Sequence, residues 1–262
     1  MSQITMTNAT EKTVFAHRGM SSLAPENTLA AFKLCRSHGI KWLECDVDIL
    51  ADGTVVMSHD DTFDRCTDHS GSLYVANKND LDNIDAGSWF SDDFIGEKVP
   101  TLEQTIALAN AEQINLNIEI KSCTAGWAMT DALINNVISA IEQLDPQRKL
   151  IVSSFNHLAL AEFKRRCPHI AVACLFERGA LHDDWLSILQ ACQADYIHPE
   201  NSTLTREQVQ AFKNAGYKVN VYTVNNLARA NQLFNWGVDG ICTDIAQNFP
   251  SKYKFQTPNS VS

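Results

Sequence analysis

No two of the eight cysteines (35, 45, 66, 123, 167, 174, 192 and 242) form a CxxC pair, and none stands at metal-ligand spacing. Most lie in apolar segments, so they read as small core residues rather than a disulfide framework. No apolar stretch approaches the roughly 20 residues that a membrane span needs. The opening residues, MSQITMTNATEKTVFAHRG, hold no basic region followed by an apolar run, so no secretory signal is expected. Positive charge is also short. Lys and Arg number 21 against 31 Asp and Glu, a net charge of −10 that argues against broad binding of nucleic acid or anionic membrane. These absences predict a soluble, cytoplasmic protein in a reducing compartment. A phosphate ligand, if there is one, needs a local cation to offset the acidic field. The acidic surface names no macromolecular partner and leaves a homodimer open.

What is present is ample for a core. A hydrophobic fraction of 45% excludes a mostly disordered chain, and 262 residues suit one large α/β domain or two small ones. Short apolar β-rich runs alternate with amphipathic segments. Strands are expected at 14–16, 41–47, 116–120, 149–153, 170–175, 195–198, 218–223 and 239–242, with helices near 28–38, 101–113, 127–144, 157–166, 184–192, 205–215 and 226–236. Asn27 or Thr28 can cap the first helix, and Thr101 with Gln104 reads as a capping box. Strands alternating with helices imply parallel pairing, and eight of them close a (β/α)8 TIM barrel. A doubly wound open sheet is the runner-up, but its first turn is normally glycine-rich and here holds only Gly19.

Residues 60–100 break the rhythm, being rich in Asp, Asn, Ser and Gly and poor in apolar residues. That is too long for an ordinary connection, so it reads as a lid, a small insertion after the second strand, or a disordered loop. The barrel is placed at 14–250 with this cap inside it, and 1–13 and 251–262 are expected to be flexible ends.

Barrel chemistry gathers at the carboxyl ends of the strands. The first strand ends in His17-Arg18, and the second, KWLECDVDI, carries Glu44, Asp46 and Asp48 at alternate positions on one face. The third carries Glu119 and Lys121, the fourth ends in Ser153-Ser154-Phe155-Asn156, and the sixth in His198-Pro199-Glu200. Thr223 and Asn225 close the seventh, and Thr243-Asp244 the eighth. Three inward carboxylates repel one another in a dry barrel, and a divalent ion removes that cost. Glu44, Asp46 and Glu119 form an all-oxygen set that suits Mg²⁺ or Ca²⁺ better than Zn²⁺. The competing reading is a structural ion network with Arg18 or Lys121. His59 ends an apolar run, TVVMSH, and would share the rim with His17, where two imidazoles can divide acid and base roles. Two fixed cations and a metal suit a phosphate ester.

The motifs AHRG with APENTLAAF, LECDV, SHDDTFDR, DAGSWF, VPTLEQ, NIEIK and GVDGICTD, in that order, give the chain a resemblance to the glycerophosphodiester phosphodiesterases, from about residue 14 to 250. The resemblance implies a metal-dependent TIM-barrel enzyme that splits glycerophosphodiesters, such as glycerophosphocholine or glycerophosphoethanolamine, into an alcohol and sn-glycerol 3-phosphate. By position it implies Glu44, Asp46 and Glu119 as ligands of one divalent ion, Mg²⁺ or Ca²⁺ with Mn²⁺ a third candidate. It implies His17 and His59 as the acid–base pair, Arg18 and Lys121 as phosphate-binding cations, and Phe155 and Tyr222 as substrate contacts. Tyr222 stands where family members often have Trp, and TFDRCTDHSG departs from a more usual TLDRTTNGTG. Glu26 reads as second to the site or as a favourable charge at a helix N-terminus. Two alternatives are kept: a lysophospholipase D-type activity, which needs an apolar groove, and a barrel that binds phosphodiesters without cutting them.

Overall fold

The computed structural model describes residues 12–253. Its strands are β1 (Thr13–His17), β2 (Trp42–Ile49), β3 (Val55–Met57), β4 (Asn115–Ile120), β5 (Leu150–Ser154), β6 (Ala171–Phe176), β7 (Tyr196–Pro199), β8 (Lys218–Val221) and β9 (Gly240–Thr243). Between them run α1 (Leu29–Ser37), α2 (Leu102–Glu112), α3 (Trp127–Ile141), α4 (His157–Arg166), α5 (Trp185–Ala191), α6 (Arg206–Asn214) and α7 (Leu227–Trp236). All strands but β3 pair in parallel, and β1 hydrogen-bonds both β2 and β9, so the sheet closes on itself. Closure excludes the doubly wound sheet and makes the fold a (β/α)8 barrel. A short 3-10 turn, Ala246–Asn248, stands where an eighth helix would follow β9.

Helices start where the sequence supplies caps. Thr28 caps α1, its Oγ1 accepting from Ala31 N at 3.3 Å, while Asn27 is used elsewhere. Thr101 and Gln104 form the reciprocal capping box of α2. None of the helices among the described residues is long and apolar enough to cross a membrane.

The sequence reading did not count β3 as a strand. It is three residues long and apolar throughout because both of its faces are covered. Val55 and Met57 enter the main core, and Val56 enters a second one. That second core lies under the polar stretch after β3 and joins Leu50, Phe63, Leu73, Leu81, Ile84, Ala86 and Val99. The stretch is therefore a packed insertion, and the disordered-loop alternative falls. Its acids serve the backbone in place of a sheet ladder. Asp85 alone accepts from Gly87 N at 2.7 Å, Ser88 N at 2.8 Å and Gly96 N at 2.6 Å. Gly87 is required here, since a Cβ on it would fall 1.8 Å from the Phe94 carbonyl oxygen.

The expected flexible ends need correcting at their inner edges. Thr13 already belongs to β1, and Ser251–Tyr253 forms a 3-10 turn whose Tyr253 ring stacks on Phe234 at 5.2 Å. The rest of both segments, 1–11 and 254–262, lies outside the described residues. The helix expected over 127–144 stops at Ile141, with Asp145-Pro146 turning the chain towards β5.

Inside the barrel Phe15, Ile151, Ala173 and Cys242 pack with Trp42, Tyr196 and Tyr222. His198 is buried among them, and Asn220 Nδ2 donates to its Nε2 at 2.9 Å. Burial pushes its pKa from 6.5 down to about 3. The unfolded chain therefore takes up a proton below pH 6.5 that the folded chain refuses until about pH 3. Stability is lost through that window as pH falls, by about 1.4 kcal/mol per pH unit from this group. The urea-unfolding free energy of His198→Gln, relative to wild type, is expected to be more favourable at pH 5 than at pH 7. Equal differences at the two pH values would contradict this.

Candidate active site

The carboxyl ends of β1, β2 and β4 meet by register. His17 lies opposite Glu44, and Asp46 opposite Glu119. Alternation along β2 puts Glu44 and Asp46 on the barrel side, and all three carboxylates are buried. One oxygen from each of Glu44, Asp46 and Glu119 lies within 4.8 Å of the others. Asp48 was expected on the same face but takes no part. Beyond Glu44, where pairing with β1 ends, antiparallel β3 pairs with residues 47–49 of β2, and Tyr74 of the insertion donates its hydroxyl to Asp48 Oδ2 at 2.8 Å.

Two cations enter this acidic centre. Arg18 and Gly19 follow β1 in left-handed conformations, φ 55° and 85°, and bend the chain sharply off the strand. Gly19 permits the bend, because a Cβ there would sit 2.8 Å from Ala31 Cβ. The turn aims Arg18 N–H at Glu44 Oε2 (2.9 Å) and brings Arg18 Nε to 3.3 Å from Asp46 Oδ2. Lys121 Nζ lies 2.7 Å from Glu119 Oε1 and 3.5 Å from Asp46 Oδ1. It also stands 5.9 Å from the centre of the Phe155 ring, which meets Tyr222 edge-on at 5.8 Å. The Tyr222 hydroxyl is fixed by donating to the Phe176 carbonyl at 2.9 Å.

The two histidines are held alike. His17 Nδ1 stands 2.6 Å from Asp244 Oδ1, and His59 Nδ1 2.6 Å from Asp60 Oδ1. Each carboxylate can only accept, so each Nδ1 carries the proton and each Nε2 is left to work. Burial works to lower the His17 pKa, but the Asp244 hydrogen bond and the Glu44 charge outweigh it and hold it above its ordinary value. Burial, with Lys121 and Arg18 nearby, leaves His59 below its own.

The sequence gives Asp244 and Asp60 no role and offers Asn27 only as an alternative to Thr28 for the helix cap. Asn27 instead sits at φ 55° with Nδ2 donating to Asp46 Oδ2 at 2.8 Å, tying the β1–α1 loop to β2. The signal for Asp60 was its place beside His59; Asp244 had only its position at a strand end. His198, which shared a strand end with the rim residues, faces Asn220 in the interior instead.

The acidic trio passes a simple test for a cation site. Burial first, then the Asp46 charge, pushes Glu44 up to about 8 and Glu119 up to about 7. Burial would raise Asp46 too, but Lys121 and Arg18 hold it well below the ordinary range. Glu44 and Glu119 thus hold their protons more tightly than ordinary carboxyls, and a divalent charge between the three would relieve that cost. The donor set is all oxygen, buried and convergent, which fits a hard divalent ion.

Residues 17–247 match the Glycerophosphoryl diester phosphodiesterase family. The chain belongs to that family. A glycerophosphodiester phosphodiesterase of Caldanaerobacter subterraneus subsp. tengcongensis is 35% identical to this family member over 231 residues, covering 88% of this chain and 93% of the relative. An Oleispira antarctica phosphodiesterase, solved in complex with the product sn-glycerol-3-phosphate, superposes with a TM-score of 0.86 at 34% identity, covering 92% of this chain and 96% of the other. The glycerophosphodiester phosphodiesterase of Thermotoga maritima, at 23% identity and a TM-score of 0.73, shares the fold.

Proposed function

We propose that this phosphodiesterase hydrolyses glycerophosphodiesters, such as glycerophosphocholine and glycerophosphoethanolamine, to an alcohol and sn-glycerol 3-phosphate. The observation that carries the reading is the convergence on one rim of three carboxylates, two cations and two imidazoles, each imidazole backed by its own aspartate. The likeness to a phosphodiesterase holding sn-glycerol-3-phosphate supports the same substrate class. A barrel that only binds would have no use for two oriented imidazoles.

Arg18 and Lys121 would hold the non-bridging phosphate oxygens, and Phe155 with Tyr222 would wall the glycerol side. A histidine Nε2 takes the proton of the neighbouring glycerol hydroxyl as that oxygen bonds to phosphorus. The other histidine gives its proton to the departing alcohol oxygen as the P–O bond breaks. Water then opens the cyclic phosphate with the two roles exchanged. One divalent ion, Mg²⁺ or Ca²⁺ with Mn²⁺ as third candidate, held by Glu44, Asp46 and Glu119, would polarise the phosphoryl group and offset its charge. We place this activity in the cytoplasm, a reading supported by eight free thiols, seven of them buried.

Purified protein is expected to release glycerol 3-phosphate from glycerophosphocholine, to stop in EDTA and to resume with one of the three ions. No release with any ion would remove this reading. Release of choline from a lysophospholipid instead would favour the lysophospholipase D-type alternative.

A further inference from the structure

One guanidinium joins the insertion to the mouth of the barrel. Arg65, in the insertion, donates from Nη2 to Glu26 Oε1 at 2.8 Å and from Nη1 to Glu26 Oε2 at 3.0 Å. Its other edge donates from Nε to Asp60 Oδ2 at 2.6 Å and from Nη2 to Asp60 Oδ1 at 3.1 Å. Both of its carboxylate partners lead to the site. Glu26 Oε1 also takes Arg18 Nη1 at 2.8 Å, and Asp60 Oδ1 holds His59 Nδ1. The result is one continuous run, Arg18–Glu26–Arg65–Asp60–His59, from a phosphate-binding cation to an acid–base imidazole.

As a fastening this run is weak, because the Arg65 side chain is 45% exposed and exposed ion pairs contribute little stability. Two-pronged pairing on both edges of a planar guanidinium supplies direction instead. The Asp60 carboxylate has that guanidinium and the His59 ring as its side-chain partners among the described residues. Its angle, and therefore the angle of His59, follows from where Arg65 is held.

We propose that Arg65 is a positioning residue: clamped by Glu26 and Asp60, it orients His59 for the phosphodiester cleavage. The inference rests on the function proposed above and makes the insertion part of the chemistry as well as its cover. A displaced catalytic group of this kind can cost about 10²-fold in rate.

The test is steady-state kinetics on glycerophosphocholine, with thermal midpoints alongside. Arg65→Gln is expected to lower kcat by about 10²-fold while KM stays within about threefold, because the phosphate contacts of Arg18 and Lys121 remain. Arg65→Lys, which keeps the charge and loses the fork, should recover part of kcat. Asp60→Asn should match Arg65→Gln, and the double variant should lose no more than either alone, since both act through one imidazole. Multiplied losses, or a rise in KM at unchanged kcat, would show that Arg65 only staples the insertion in place. If Arg65→Gln fails to fold, the Arg65→Lys and Asp60→Asn kcat values decide. An inactive wild type would overturn the parent reading and this one together; an active wild type with an unaffected Arg65→Gln would overturn this one alone.

Discussion

His17→Ala is expected to reduce kcat by about 10³-fold and to leave the thermal midpoint close to wild type. The imidazole sits at the end of β1 with Nδ1 committed to Asp244 and Nε2 4.0 Å from Glu44 Oε2. It is placed for proton transfer at the acidic centre, and it is not among the buried side chains of the core, so its removal opens no core cavity. Asp244 keeps Asn225 and Ser21 as hydrogen-bond partners after the truncation, so no buried carboxylate is stranded. Asp244→Asn keeps the imidazole and frees its tautomer and angle, and a smaller loss is expected there. The measurement is kcat on glycerophosphocholine beside a melting curve. Near wild-type turnover in His17→Ala would take this residue out of the mechanism.

Glu44→Gln should abolish metal-dependent activity and yet make the metal-free protein more stable. The sign follows from the pKa. In the unfolded chain Glu44 loses its proton near 4.5, and in the folded, metal-free protein near 8. Folding therefore loses stability as pH rises from about 4.5 to about 8, on the order of a few kcal/mol from this group. In EDTA at pH 8 the wild type should melt below its pH 5.5 value, and Glu44→Gln should narrow that gap. Adding Mg²⁺ or Ca²⁺ should raise the wild-type midpoint by mass action and leave the variant nearly unmoved. A metal-dependent rise of equal size in both proteins would place the ion elsewhere.

Much of this site could be read from local sequence. Period-two alternation put Glu44 and Asp46 on one face, and strand ends marked His17 and Lys121. Asp48 obeys the same alternation and still stands apart from the cluster, because β3, absent from the strand reading, pairs with the end of β2 and Tyr74 of the insertion donates to the Asp48 carboxylate. The sequence leaves the insertion open between a packed unit and a disordered loop, because Phe63, Leu73, Leu81, Ile84 and Val99 are scattered among turns and form no sustained helical or strand pattern. Asp244 lies 227 residues from His17, and only the pairing of β1 with β9 brings them together. No local pattern reports such a contact.

That pairing is also the seam where the ring of strands is joined. His17 ends the first strand and Asp244 follows the last, so their 2.6 Å contact exists only in a closed ring. A chain released early, or a fragment lacking β9, has an imidazole with no carboxylate to aim it. Under the mechanism proposed above, turnover would therefore report circular completeness, because the acid–base contact forms only when the two ends of the fold meet.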